Sequence, residues 1–340
     1  MPEPDLLHFI LLVKQLEDFN VMKISENTIN MLASLYFKGI GKAWVINNSV
    51  WNKSVEEIVS LVSNKTKQDE IEVSVQFEDF KIKVCSLISS YEGIADGIIG
   101  IGDPGFPECR GSIKNSDQPI LLAYRGDISL ISKQNKNIAV IGVLNPSESI
   151  EQRERTVVSK LVSSGYTIVS GLALGCDSIS HTEALAQGGK TVAILPSTLK
   201  NIQPVANRQL AEDIVANGGL VVTEYLNEAY SKQNFISRFI ERDRLQAFFS
   251  DCVLLSASYA PNAFGNDCGS RHALRNAKEA GIKRAVMYDE SLDKNNPQFD
   301  LNRVVMREDG INAIILTENT FKDSIKKIEP KTKSVQLPLF

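Results

Sequence analysis

The segment SGLALGCDSISHTEALAQGGKTVAIL, residues 170–195, reads as strand end, glycine loop, helix and strand in succession. One strand closes at Ser170, Gly171 and Gly175 let the backbone turn tightly, and Asp177 or Ser180 caps a helix that ends at Gly188-Gly189. A turn of this kind aims unpaired N–H groups and the positive end of a helix at one point, where a phosphate oxygen would sit. The spacing is neither G-x-G-x-x-G nor a Walker loop, so conventional dinucleotide or ATP binding is not indicated. Glycine at a strand end also serves packing alone in many α/β folds, and the segment by itself leaves both readings open.

Outward from this segment, short β-branched runs alternate with helical patterns: IAVIG at 138, TIVSG at 167, TVAIL at 191, LVVTE at 220, CVLLSA at 252, RAVMY at 284 and AIIL at 313. Each is almost wholly apolar, as a strand covered by helices on both faces must be. The spacings fit βαβ units, which predicts an α/β fold with a doubly wound, mostly parallel Rossmann-like sheet. Residues 5–92 read instead as helices. Leu6, Leu7, Ile10, Leu11 and Val13 form one apolar face; Ser25 and Thr28 open a second segment through Leu32, Leu35 and Tyr36; Lys38-Gly39-Ile40-Gly41 breaks it. Further amphipathic stretches run from Val55 to Val62 and from Phe77 to Ile88. The turn-rich GDPGFPECRG at 102–111 marks a connection. The expected domains are a small helical module, of sterile-alpha-motif or helix-hairpin-helix type, at 1–95, a Rossmann-like domain at 96–328 and a polar tail at 329–340.

At 340 residues and 43% apolar, the chain can bury at least one large core. The cysteines at 85, 109, 176, 252 and 268 form no C-x-x-C pair and lie near no histidine at ligand spacing, so no metal site, disulfide framework or cofactor is expected. The first residues are acidic where a secretory signal needs positive charge, and no stretch is long enough for a membrane span, so a cytoplasmic protein is expected. A formal net charge of −4 argues against coating nucleic acid by bulk electrostatics; any such site has to be a local basic patch.

Three further constellations carry chemistry-bearing side chains. His181 lies four residues after Asp177, a spacing that invites a general-base reading, but no motif places a nucleophile beside them, and a structural histidine hydrogen-bonding to the loop is the preferred reading. In FIERDRLQAFFSD, residues 239–251, Arg242 and Arg244 flank Asp243 at what looks like a helix start, with Arg238 one turn earlier. Guanidinium groups suit phosphate, and internal pairing with Glu241 and Asp243 is the alternative. In CGSRHALRNAKEAG, residues 268–281, Arg271, Arg275 and Lys278 follow Gly269-Ser270 at helical spacing, as a basic stripe or a solvated face.

In order, these segments resemble the DprA/Smf DNA-processing family over nearly the whole chain. The Gly-Ile-Gly turn falls at Gly39-Ile40-Gly41, and the Asp-Pro-x-Phe/Tyr-Pro entry at Asp103-Pro104-Gly105-Phe106-Pro107. The Ser-Gly-Leu-Ala-Arg-Gly-Ile-Asp signature falls at Ser170 to Asp177, followed by His181, Ala184-Leu185 and Gly188-Gly189. Phe-Pro-x-Arg-Asn-Arg is matched by Phe239, Arg242, Asp243 and Arg244, and Ser-Gly-Ser by Cys268-Gly269-Ser270. The resemblance implies a non-enzymatic protein that binds single-stranded DNA, dimerises, and helps load the recombinase RecA during transformation or recombination. It further implies a pocket built from Gly171, Gly175, Asp177, Lys190, Arg242, Arg244, Ser270 and Arg271, with no catalytic residue. Two departures stand out: Gly142-Val143-Leu144 replaces Gly-Ser-Arg, and Leu174 replaces the arginine of Leu-Ala-Arg-Gly. These apolar positions suit a base better than a backbone, so the alternative expectation is a nucleotide-sensing or toxin-restraining component of a phage-defence module. No winged helix is expected after the Rossmann-like domain. The terminal Gln336-Leu337-Pro338-Leu339-Phe340 resembles the pentapeptide by which replication proteins bind the DNA sliding clamp, with Gln336 as hydrogen-bonding group and Leu337, Leu339 and Phe340 as the apolar contacts.

Overall fold

The computed structural model describes residues 24–262 and 269–329. The apolar face at Leu6–Val13, Cys268 and the clamp-like pentapeptide lie outside the described residues. The chain divides into two compact units, one running to Phe106 and including Pro119–Arg125, the other comprising Pro107–Gln118 and everything from Gly126 onward. This differs from a cut at 95/96. The reason is pairing: strand β1 (Gly97–Gly100) is antiparallel to β2 (Leu121–Gly126), with Ile98 opposite Ala123, so the first unit recruits a strand from beyond the turn-rich connection.

In the first unit, helices α1 (Glu26–Ser34), α2 (Lys42–Asn47), α3 (Val55–Thr66) and α4 (Glu70–Ser89) each begin where the sequence supplies a cap. Ser25 accepts from the Thr28 amide, Ser54 and Glu57 form a reciprocal capping box, and Asp69 accepts from the amides of Ile71 and Glu72. Gly39 takes a left-handed φ of 83° and Gly41 caps α2, which explains the break after α1. Phe37 packs on Phe77 and Phe80 of α4. Ser25 and Thr28 also donate to the Asp103 carboxylate at 2.5 and 2.7 Å, tying the start of α1 to the loop after β1.

The second unit holds β3 (Asn137–Ile141), α5 (Glu148–Ser163), β4 (Thr167–Ser170), α6 (Cys176–Ala186), β5 (Thr191–Ile194), α7 (Arg208–Ala216), β6 (Leu220–Thr223) and α8 (Lys232–Phe248). It continues through β7 (Cys252–Leu255), α9 (Ser270–Ala280), β8 (Lys283–Val286), α10 (Glu290–Asp293), α11 (Asp300–Asp309), β9 (Ile314–Ile315) and α12 (Phe321–Ile328). Its seven strands are all parallel and lie in the order β6-β5-β4-β3-β7-β8-β9. Ile138 of β3 sits between Ile168 of β4 and Cys252 of β7. All seven apolar runs read from the sequence are therefore strands, and the residues of β3 to β7 are buried throughout because helices cover both faces. The chain winds outward from β3 in one direction through β6, then returns beside β3 and winds the other way from β7. That reversal opens a crevice beyond the carboxyl ends of β3 and β7, where open α/β sheets hold ligands.

Candidate functional site

The loop after β4 lies at this carboxyl edge, and its shape is dictated by what surrounds it. A Cβ at Gly171 would lie 1.2 Å from Nη1 of Arg242, so only glycine admits the guanidinium beneath the loop. Gly175 has a φ of +74°, and a Cβ there would lie 2.3 Å from the Val143 carbonyl oxygen and 2.4 Å from that of Leu144. The loops after β3 and β4 thus touch backbone to backbone, joined by the Cys176 amide donating to Val143 at 3.1 Å. Leu172 is a left-handed leucine, φ 60°. It is held by complete burial and by Asn207, whose amide donates to the carbonyls of Leu172 and Ala173 at 2.8 and 3.1 Å.

Asp177 faces inward. Its carboxylate accepts from the amides of Gly171 (3.1 Å) and Ala173 (3.3 Å), acting as an internal anion that fixes the loop. The amides of Leu174, Gly175, Asp177 and Ser178 have no acceptor among the described residues. These four belong to the loop's end and the first turn of α6, where amides are left over by helix geometry and the macrodipole is positive. Leu144 and Leu174, 50% and 46% exposed, stand at the rim, whereas Val143 is buried.

The two arginines are structural in their contacts. Arg242 is 4% exposed. Its Nη1 donates to the Ile194 carbonyl at 3.3 Å and lies 3.9 Å from Asp177, and its Nε is 3.4 Å from Asp243. Gln246, with its amide oxygen turned toward the loop, accepts from both Arg242 (2.8 Å) and the Gly171 amide (2.9 Å). Arg244 points elsewhere, donating to the carbonyls of Asp117 and Glu241 and pairing with the buried Glu224 at 2.7 Å. Internal pairing, the alternative left open by the sequence, is thus what the geometry displays, and Arg242 acts on the loop from below. Lys190 does not join the group: it precedes β5, at the amino edge of the sheet, and donates to the Asn217 carbonyl at 2.7 Å. Ser270 is buried at the start of α9, its hydroxyl 3.5 Å from the Gly142 carbonyl, and Arg271 beside it is exposed. The carboxyl edge therefore assembles Gly171, Gly175, Asp177, Arg242, Ser270 and Arg271, and leaves out Lys190 and Arg244.

His181 is fully buried on α6, its Nδ1 2.6 Å from the hydroxyl of Thr191, which in turn donates to the Ile168 carbonyl at 2.9 Å. That chain assigns the proton to Nδ1, and burial, aided by Arg242, pushes the imidazole down to about 3. It is a neutral strand-anchoring group with no contact to Asp177 of the general-base kind.

Three features escape a reading of motifs. Helix α8 begins at Lys232, capped by Ser231, so that Arg242 and Arg244 sit in its second half. Its first half carries Phe235 and Phe239, half-buried and edge to face at 5.0 Å, with Ile236 and Ile240 exposed. The Phe239 ring lies 5.9 Å from the Arg242 guanidinium, the group that underlies the loop. Glu154 of α5 and Asp243 of α8 are buried acids, and burial pushes them up to about 8 and about 7 respectively. Serine 231 three residues ahead of an amide-rich turn was the available sign of the early helix start; nothing local marks Glu154 as buried.

The sequence profile of the DNA recombination-mediator protein A family matches residues 97–296. The chain belongs to this family. The match covers the strands β1 to β8 and the loops that follow β3, β4 and β7 at the carboxyl edge. Among individual proteins, the chain is similar to Protein Smf of Borreliella burgdorferi, 34% identical over 43% of this chain and 44% of that one. It is also similar to the DNA processing protein DprA of Bacillus subtilis, 27% identical over 58% of this chain and 65% of that one. It thus spans less than two thirds of the length of these relatives. The solved structure of DprA from Streptococcus pneumoniae superposes with a TM-score of 0.65 at 22% identity, over 89% of this chain and 99% of that one, which establishes the shared fold. A structure of DNA processing protein A from Helicobacter pylori, described for its single-stranded DNA binding mode, matches with a TM-score of 0.50 at 26% identity, over 61% of this chain and 88% of that one. No described helix is long and apolar enough to cross a membrane.

Proposed function

We propose that the carboxyl edge of the second unit binds single-stranded DNA, without catalysis, in recombination or DNA processing. The observation that carries this reading is the set of unclaimed amides at Leu174, Gly175, Asp177 and Ser178, converging on the crevice at the start of α6. Family membership and the single-strand binding named for the Helicobacter relative support it. A phosphate sits on those amides, the exposed Arg271 adds positive charge beside them, and Phe239 offers a stacking face for a base. Gly171, Asp177, Arg242 and Ser270 hold the amides in place from behind. Among the described residues His181 offers no competent base to a nucleophile, because it is neutral and turned into the sheet.

Equilibrium anisotropy with a labelled oligothymidine tests the reading. Leu174→Asp places a negative charge on the exposed rim without disturbing the core, and is expected to weaken binding at least tenfold at an unchanged melting temperature. Arg271→Ala is expected to weaken it about threefold and to reduce the magnitude of the salt slope by about 0.7. If wild type shows no salt-sensitive binding, the reading fails. A second reading, a sensor for a free nucleotide, is favoured by the exposed Leu144 and Leu174, which suit a base face. A mononucleotide competing with the oligomer at equal concentration would select it. Loading of RecA, self-association as a dimer, and clamp binding through Gln336, Leu337, Leu339 and Phe340 belong to the same proposal, and each is read by pull-down with the purified partner.

A further inference from the structure

Beneath the loop, two carboxyl groups share one arginine. Asp177 of α6 lies 3.9 Å from Nη1 of Arg242 and Asp243 of α8 lies 3.4 Å from its Nε, while the buried Glu154 of α5 feels the charge of Asp177. Asp177 is committed to the loop amides. Asp243 is placed differently: a Cβ at Gly269 would lie 2.7 Å from its Oδ2, so its carboxyl faces the first turn of α9 at the edge of the crevice. From α8 it faces Arg242, from α6 Asp177, and from α9 the backbone at Gly269, in a turn whose ionisable side chains are Arg271 and the half-buried His272. With Asp177 and Asp243 both ionised beside one arginine, the floor of a site for a polyanion would carry a net negative charge in a poorly solvated place, where charges are weakly screened.

We propose that Asp243 makes single-strand binding proton-linked: the carboxyl takes up a proton as a phosphate settles over the Gly171–Gly175 loop, and in its ionised form it limits affinity. This rests on the single-strand reading given above. Burial and the Asp177 charge, against the pull of Arg242, push Asp243 up to about 7, so the uptake falls in the neutral range. A bound phosphate is a second negative charge on the same turn and raises the carboxyl further. By linkage, one unit of such a rise corresponds to an affinity about fivefold greater at pH 6 than at pH 8. Asparagine at this position has the same shape and no charge to remove.

The experiment uses the full chain and an oligothymidine with no terminal phosphate, so that the ligand does not titrate in this range. Anisotropy at pH 6, 7 and 8 and constant ionic strength is expected to show the fivefold decline for wild type. Asp243→Asn should give a nearly flat profile, held at the acidic, tighter value. Calorimetry of wild type in two buffers of different ionisation enthalpy is expected to show uptake of a fraction of a proton near pH 7, a readout independent of whether the variant folds. Equal pH profiles for the two proteins, or no proton uptake by wild type, overturn the proposal while leaving the single-strand reading intact. Absence of binding by wild type throughout this pH range at low salt overturns that reading and this one with it.

Discussion

Arg242 shows how the chemistry of a side chain can point to a surface while its burial places it beneath one. A guanidinium near a glycine loop has the chemistry of a phosphate ligand, but the sequence does not report burial, and burial decides the role. Gly171 and Arg242, 71 positions apart in the chain, are one device, since the glycine exists to admit the arginine. Glu154 is the opposite case, a fully buried acid on a helix, between Arg153, which pairs with Asp293, and Arg155, which pairs with Glu151 and Glu183. Its carboxyl has an ordinary value of 4.5, and burial pushes it up to about 8, against smaller pulls from Cys176 and Ser256. The folded protein therefore holds a proton that the unfolded chain releases. Its stabilising effect is complete below about pH 4.5 and is lost as pH rises through 8. Urea denaturation of wild type against Glu154→Gln at pH 5, 6, 7 and 8 is expected to show wild type losing ground with rising pH, by up to about 1.4 kcal/mol per unit. Parallel stability curves would mean that the carboxyl is ionised throughout.

Elements were the most legible level. Seven apolar runs became seven parallel strands because a strand buried on both faces has no polar positions to confuse its reading. The order of the strands was not readable, since nothing local distinguishes a run that pairs with β3 from one at the sheet's edge. Helix α8 starts earlier than its arginine-rich stretch suggests because Ser231 caps it and Ile240 stands where the family motif has proline, so no residue interrupts the earlier turns. The loop before α6 is the element on which function depends, and its geometry hangs on Gly175. Gly175→Ala requires a left-handed alanine within 2.3 Å of the Val143 carbonyl, so the loops after β3 and β4 must part. The cost is expected to be about 2–3 kcal/mol in folding stability, from strain and from the lost Cys176–Val143 bond. Oligonucleotide binding should fall by more than tenfold, because the four amides no longer converge. A variant as stable as wild type, binding with unchanged affinity, would show that the backbone contact is incidental.

At the scale of the whole molecule, the chain crosses between its units more than once, so no single cut separates them. The turn-rich stretch at 102–111 was a fair place to seek a boundary, but the boundary is not a point: Pro107–Gln118 belongs to the second unit and Pro119–Arg125 to the first. Sequence composition registers the turns and cannot register that β1 and β2 pair across them. A fragment of residues 96–340 keeps both strands but removes Ser25 and Thr28 from the Asp103 carboxylate and Trp51 from the close face of Gly102. Exposing that surface is expected to lower the melting temperature by several degrees, about what a loss of 1–3 kcal/mol produces in a domain of this size. All the amides and side chains assigned to the site lie in the second unit, so the fragment should bind oligothymidine within about threefold of the full chain. The formal net charge of −4 reinforces this expectation, because the attraction is not a property of the molecule as a whole and does not depend on retaining all of it. Its dependence on salt should accordingly be shallow, with log K falling by about 0.7 to 1.4 per decade, as for one or two single-strand phosphates neutralised. A folded fragment that binds more than tenfold more weakly, or a full chain with a much steeper salt slope, would place part of the nucleic-acid surface in the helical unit.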